Sequence, residues 1–346
     1  MKKHVNIPIF IPHLGCPNMC VFCNQRSISG KRYFDIQDVR AEIERALSTL
    51  HGGCEAEIAY FGGSFTGIDR HTMICLLDIA QKFVDKPGNS EQAHVRGIRM
   101  STRPDYIDKE IMEILSAYSV NTIELGIQSM NDSVLKACKR GHTAKDAEDA
   151  CRLVKQNNYG LVGQMMIGLP GADIESEKLT ARKICEMGAD SARIYPTVVF
   201  YETELADMTR RGEYNMLEIE EAVERSCEVY EIFRENNVEC IRIGLCASDN
   251  LSDESQVMGG ANHPALGEMV LGESSFKIMK KLLDDCSEND IFPEGKQVCF
   301  SVPKGYMSRA VGYRGINKTR LADEYKLRRV IVKEDDTDMF RLDSVF

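Results

Sequence analysis

The chain has 346 residues, 43% hydrophobic and 28% charged, an ordinary globular composition with enough apolar side chains for a sizeable core. Its apolar N-terminal run, 5–11, is too short and too broken by Pro8 and Pro12 for a signal segment or a membrane span, and its 13 scattered cysteines read as reduced cytoplasmic thiols rather than a disulfide framework. The net charge of −10 hides a basic block: residues 296–333 carry ten Lys or Arg against Asp323 and Glu324, so that window is +8 and the rest is −18. Such a block is a candidate polyanion footprint, with a solvated charged face as the plainer alternative.

Strand candidates at 5–11, 57–61, 97–101, 122–127, 161–167 and 192–199 alternate with helical periodicity at 36–50, 72–84, 109–118, 144–156 and 175–187. Strands buried on both faces and joined by helical crossovers predict a parallel sheet. Six such units predict an α/β fold, a partial (β/α)6 barrel over residues 1–237, with active groups at the carboxyl ends of its strands. A post-barrel extension, 238–292, follows, with a strand at 240–245, a loop carrying Asn262-His263-Pro264 and a helix at 275–283. The tail, 293–346, reads as a small α+β region: a strand at 297–303, a helix at 304–310, Gly312-Tyr313-Arg314-Gly315, a helix at 316–325 and a strand at 327–332. The acidic stretch 334–338 is expected to fray.

Directly after the first strand the sequence reads Cys16-Pro17-Asn18-Met19-Cys20-Val21-Phe22-Cys23. Thiolates are soft ligands that suit iron–sulfur clusters and zinc. Three thiolates on a four-iron cubane leave one iron open to a substrate. The competing assignment is a zinc knuckle completed by His13 or Cys54, although zinc sites more often pair two knuckles, and there is no second one. Cys240, Cys246, Cys286 and Cys299 lack the compact run that a second cluster would use.

The later strand ends add to the pattern. The second ends in Phe61-Gly62-Gly63-Ser64-Phe65-Thr66, the fourth in Glu124-Leu125-Gly126-Ile127-Gln128-Ser129, and the fifth in Gln164-Met165-Met166-Ile167-Gly168-Leu169-Pro170-Gly171. Paired glycines let backbone come close to a ligand. Over residues 4–285 this set resembles the radical S-adenosylmethionine (SAM) part of the Elongator catalytic subunit and, more distantly, oxygen-independent coproporphyrinogen oxidase. The resemblance implies a [4Fe-4S] cluster on Cys16, Cys20 and Cys23, and SAM on its open iron. It also implies Phe22 near the adenine, Gly62 and Gly63 at the methionine ammonium, Gln128 and Gln164 by the ribose or adenosyl group, and Arg140 on the carboxylate. Glu124 stands as a contact to cofactor or substrate. The chain carries no acetyltransferase domain or acetyl-CoA loop, so acetyl transfer is not inherited, and the Elongator subunit has a longer gap between its first two cysteines.

The β-α-α-β order with G-x-x-G between the helices looks like a minimal KH module. There Gly312 and Gly315 would approach a single-stranded backbone, and Arg314, Lys318 and Arg320 would supply charge. The expected function is reductive cleavage of SAM to a 5′-deoxyadenosyl radical, fed by ferredoxin or flavodoxin and directed at RNA, with tRNA favoured. Two rivals stand beside it: a small-molecule radical SAM enzyme of the coproporphyrinogen type, and a non-enzymatic iron–sulfur RNA sensor.

Overall fold

Seven parallel strands curl into one half-barrel sheet in the computed structural model, which describes residues 4–12, 14–16, 20–24, 34–84, 93–245, 255–288 and 293–346. In chain order the elements are β1 (His4–Phe10), α1 (Ile36–Ser48), β2 (Glu55–Phe61), α2 (Arg70–Val84), β3 (His94–Thr102), α3 (Lys109–Ser116), β4 (Val120–Gln128), α4 (Asp132–Ala137), α5 (Ala144–Gln156), β5 (Gly160–Ile167), α6 (Ile174–Glu186) and β6 (Ser191–Pro196). Then come β7 (Val198–Phe200), α7 (Glu204–Arg210), α8 (Ile219–Glu235), β8 (Glu239–Ile243), β9 (Val257–Gly260), α9 (Leu266–Glu288), β10 (Gln297–Pro303), α10 (Met307–Val311), α11 (Ile316–Glu324), β11 (Arg329–Asp335) and β12 (Arg341–Val345). The sheet order is β1-β2-β3-β4-β5-β6-β8, so the α/β expectation holds with one strand more than the six counted from sequence. The seventh, β8, pairs parallel with β6, which places the strand expected beyond the barrel inside its sheet.

Each strand alternates two kinds of side chain because its two faces meet different surroundings. Ile7, Ile9, Ile58, Tyr60, Ile98, Met100, Ile123 and Leu125 are buried in the main apolar core with residues from α1, α2, α3 and α5. The other face carries Asn6, Glu57, Arg99, Glu124, Gln164 and Arg193, brought side by side by the parallel register. Helix starts are fixed by side chains: Asp108 accepts from the backbone of α3, and reciprocal capping boxes open α5 (Thr143, Asp146) and α6 (Asp173, Ser176).

Beyond the barrel, β7 and β9 form a two-stranded antiparallel ribbon. One long helix, α9, runs from the end of β8 into a second core built by Phe276, Met279, Leu283, Val298, Phe300 and Leu321. That core carries a three-stranded sheet of order β11-β10-β12, with β10 and β11 parallel and β12 antiparallel to β10. The tail differs from expectation at its end. Glu334 and Asp335 lie within β11, the Glu334 carboxylate accepts from the Gly305 backbone, and the chain returns as β12 over buried Phe340. A free sheet edge beside β10 is the physical reason: an added strand satisfies its backbone groups. Among the described residues no helix is long and apolar enough to cross a membrane.

Candidate functional site

The cysteine segment lies where the carboxyl ends of β1 and β2 meet. Gly15 and Gly63 are needed there for close approach. A Cβ on Gly63 would stand 2.4 Å from the Leu14 carbonyl and 2.6 Å from that of Ile11, and one on Gly15 would stand 2.1 Å from the Ser64 carbonyl. The two loops are therefore in direct backbone contact, and Ser64 N–H donates to the Leu14 carbonyl at 2.8 Å. Gly62, beside them, takes φ +90°, a left-handed backbone that suits glycine. The turn from Cys20 to Cys23 closes through Cys23 N–H to the Cys20 carbonyl at 3.0 Å. It is pinned from both sides: Val21 N–H donates to the Cys138 carbonyl at 3.1 Å, and Leu205 N–H to the Val21 carbonyl at 2.8 Å. Phe22 is half-buried against the apolar cluster formed by Val21, Val134, Leu169 and Leu205.

Two guanidinium groups accompany these thiols. Arg140, only 7% exposed, donates from Nη1 to Cys20 Sγ at 3.4 Å and from Nη2 to the Gly126 carbonyl at 2.8 Å, leaving its buried Nε without a hydrogen-bond partner. Arg103, 2% exposed, is the second, and nothing in its sequence context marks it as part of the site. Burial pushes the Cys16 thiol up, against an opposing pull from Arg140 and Arg103. His142 lies close behind. Its Nε2–H donates to the Ile127 carbonyl at 3.2 Å, and burial depresses its pKa to about 4.

Across the mouth, Gln128 and Gln164 meet as a reciprocal amide pair at 2.7 and 2.9 Å, both buried. Gln128 holds φ +68° at the bulge that ends β4, which turns its side chain onto β5. Glu124 lies between two arginines, 3.1 Å from Arg193 Nε and 3.8 Å from Arg99 Nη2. Arg99 in turn lies 3.7 Å from Glu57, and Arg193 sits over the Phe61 ring, 5.5 Å from its centroid. The structure thus sets the Gly62–Gly63 loop against the loop before Cys16, joins Cys20 to Gly126 through Arg140, and pairs Gln128 with Gln164, while Glu124 lies farther down β4 between Arg99 and Arg193. The sequence did not mark Arg103, Arg99, Arg193 or the hydroxyl chain Ser64–Thr102–Thr66. Period-two alternation on a buried strand gives only a weak signal for Arg99 and Arg193.

The zinc assignment fares differently by residue. Cys54 precedes β2, at the opposite end of that strand from Gly62, and His13 lies outside the described residues. Among the described residues no three His, Cys, Asp or Glu side chains converge on one metal ion. A cubane instead spreads its thiolates over separate irons. Three soft donors, with buried N–H groups of Arg103 and Arg140 left unpaired beside them, fit an anionic iron–sulfur group.

Residues 10–184 match the radical SAM superfamily, and 189–275 match the radical SAM C-terminal domain. The chain belongs to the radical SAM superfamily. It is a radical SAM enzyme, of a family that uses a [4Fe-4S] cluster and SAM. Its first 33% identical relative is a tRNA uridine(34) acetyltransferase of Methanocaldococcus jannaschii, aligned over 54% of this chain and 37% of that one. Elongator complex protein 3 of Schizosaccharomyces pombe is 29% identical over 59% of this chain and 44% of its own length. The chain therefore spans less than half the length of these relatives. Among solved structures, an archaeal Elp3 from Methanocaldococcus infernus superposes with a TM-score of 0.61 at 22% identity, covering 86% of this chain and 71% of that one. Methylornithine synthase does so at 0.51 and 16%, covering 76% of each. These likenesses show the fold.

In the C-terminal region of this radical SAM enzyme, the Gly312–Gly315 loop is packed rather than free. The Tyr313 ring meets His263 edge-on at 5.4 Å, and His263 Nδ1 accepts from Ala265 N–H at 3.0 Å at the start of α9. Fully buried Asn317 donates to the carbonyls of Gly272, Ala310 and Arg309 at 2.8, 3.2 and 3.4 Å. A Cβ on Gly312 would strike that amide at 2.6 Å, whereas one on Gly315, at φ +78°, meets nothing within 4 Å. Arg320 is paired with Glu273 and stacked on Phe276 at 3.8 Å, so its charge is already spent inside the protein. Arg314 stacks on Tyr313 at 5.3 Å, and both Arg314 and Lys318 are exposed.

Proposed function

We propose that this radical SAM enzyme acts on RNA of the tRNA kind, gripped by the C-terminal region beside the barrel mouth. The observation that carries this reading is the contact of Tyr313 with His263. It seats the basic Gly312–Gly315 loop against the N-terminus of α9, whose Gly267 packs on Ile243 at the end of β8. In this reading residues 293–346 form the RNA-gripping module, KH-like in element order. Helix α9 connects it to the barrel, whose last strand is β8.

Cys16, Cys20 and Cys23 would hold the cluster, with Gly62 and Gly63 offering close backbone to the methionine ammonium. Gln128 and Gln164 would lie at the ribose, Phe22 near the adenine, and Arg140 at the carboxylate. When bound, the cluster and SAM supply a one-electron cleavage that yields a 5′-deoxyadenosyl radical for hydrogen abstraction. The protein's own groups position and shield. The Gln128–Gln164 pair fixes two amide donors and acceptors at the mouth. The Glu124–Arg193–Arg99 chain keeps charged groups ordered on the face of the sheet turned away from the helices. Gly315, Arg314 and Lys318 would meet a phosphate backbone, while Gly312 and Arg320 hold the loop in place. Ferredoxin or flavodoxin is the proposed electron donor.

The test is 5′-deoxyadenosine formation by anaerobically reconstituted, reduced protein with and without bulk tRNA. Strong stimulation by tRNA supports the reading, and turnover indifferent to RNA sinks it. A small-molecule substrate is the second reading, favoured by one observation: Lys304, Arg320, Lys326 and Lys333 each pair with a carboxylate, which neutralises part of the basic block.

A further inference from the structure

We propose that Arg103, outside the cysteine motif, is a positioning residue that sets the reduction potential of the cluster, with Asp105 as its counter-charge. This rests on the cluster being held by Cys16, Cys20 and Cys23. Arg103 follows directly on β3 and is held in place by its surroundings. Its backbone N–H donates to Ser64 Oγ at 3.2 Å, Ser64 Oγ lies 2.9 Å from Thr102 Oγ1, and Thr102 Oγ1 lies 2.6 Å from Thr66 Oγ1. The loop carrying Gly62 and Gly63 and the end of β3 are thereby one unit. The side chain is bidentate to Asp105, Nε at 2.9 Å and Nη2 at 2.7 Å. Its third nitrogen, Nη1, is buried and has no hydrogen-bond partner.

A guanidinium that is 3% exposed at its side chain, beside a carboxylate that is 25% exposed, is an asymmetric pair. Water screens the acid more than the base. Ser64, which accepts from the Arg103 backbone, is itself bonded to the Leu14 carbonyl and packed on Gly15, so Arg103 is anchored to the loop that leads into Cys16. A cubane on three thiolates gains one further negative charge when it takes an electron. A fixed positive charge in a low-dielectric site favours that reduced form, and a fixed negative charge opposes it. Burying an arginine is costly without such a partner, so Asp105 is what keeps the cation in place.

The experiment is an EPR-monitored redox titration of the reconstituted full-length protein without SAM, comparing wild type, Arg103→Gln, Arg103→Lys and Asp105→Asn at equal iron and sulfide content. At the wild-type midpoint, Arg103→Gln is expected to lower the reduced-to-oxidised ratio about tenfold, which for a one-electron couple is about 59 mV. Arg103→Lys shifts it less, and Asp105→Asn shifts it in the opposite direction. An unmoved midpoint in Arg103→Gln overturns the proposal, as does movement of both Gln and Asn variants in the same direction. If Arg103→Gln takes up no cluster, Asp105→Asn decides: a rise in the reduced fraction supports the proposal and no rise overturns it. Failure of the cluster assignment itself would show separately, as wild-type protein with no [4Fe-4S] signal.

Discussion

The two glycines of Gly312-Tyr313-Arg314-Gly315 are expected to behave very differently when each is replaced by alanine. At Gly312 the new Cβ meets the Asn317 side chain at 2.6–2.8 Å. That amide is 1% exposed and bonds three carbonyls, so moving it breaks buried hydrogen bonds, each worth about 1 kcal/mol net and more when a partner is left unsatisfied. Adding the φ of +75°, the change should cost the C-terminal region about 4 kcal/mol. At Gly315 only the left-handed backbone is penalised, about 1 kcal/mol. Hydrogen exchange of the β10 amides in the full-length protein reads the difference. Protection should fall about a thousandfold in Gly312→Ala and about fivefold in Gly315→Ala. Equal losses, or an undisturbed Gly312→Ala, would refute the packing argument.

Glu177 is 2% exposed, with Oε1 accepting from Gly168 N–H at 2.7 Å and both oxygens bonded by Arg225 at 2.5 and 2.9 Å. Glu177→Ala leaves that arginine only Glu221 and the Ala172 carbonyl and frees the Gly168 N–H, so urea unfolding should show a loss of about 2–3 kcal/mol; a loss no larger than at a surface control would count against it. His142 predicts a pH signature. Its folded pKa is depressed by burial to about 4, from 6.5. The unfolded chain therefore binds its proton first, and stability present above pH 6.5 is lost as pH falls towards 4, by about 3 kcal/mol in all. Urea titrations of cluster-free protein should show that slope in wild type and lose it in His142→Gln. A slope that persists in the variant assigns the effect elsewhere.

The parallel barrel was legible because its strands and helices differ in period and follow one another in regular order. The cysteine triplet was legible because three thiols in eight residues have few other uses. Other features had no local signature. Arg103 sits in Thr102-Arg103-Pro104-Asp105, which reads as a polar turn, and only the meeting of β2 and β3 ends buries it. Arg140 reads equally well as an exposed helix-end cation, yet the short helix α4 tucks it beneath Gly126. Gly312 and Gly315 look alike in sequence, and what separates them is Asn317, whose amide is held by the Gly272 carbonyl of a helix 45 residues earlier in the chain. β8 carries five residues with mixed exposure, so its membership of the sheet depends on an unpaired edge of β6 rather than on its own pattern. β12 likewise owes its existence to the open edge of β10.

Helix α9 spans Leu266–Glu288, 23 residues in one continuous element, or about 35 Å. Its first turn rests on the end of β8, where Gly267 packs on the Ile243 carbonyl, and its later turns supply Phe276, Met279 and Leu283 to the C-terminal core. A stiff rod held at both ends transmits displacement rather than absorbing it. The basic loop packs on the first turns of α9 and the C-terminal core on its later ones, so one rigid element fixes the spacing of both from the last strand of the sheet.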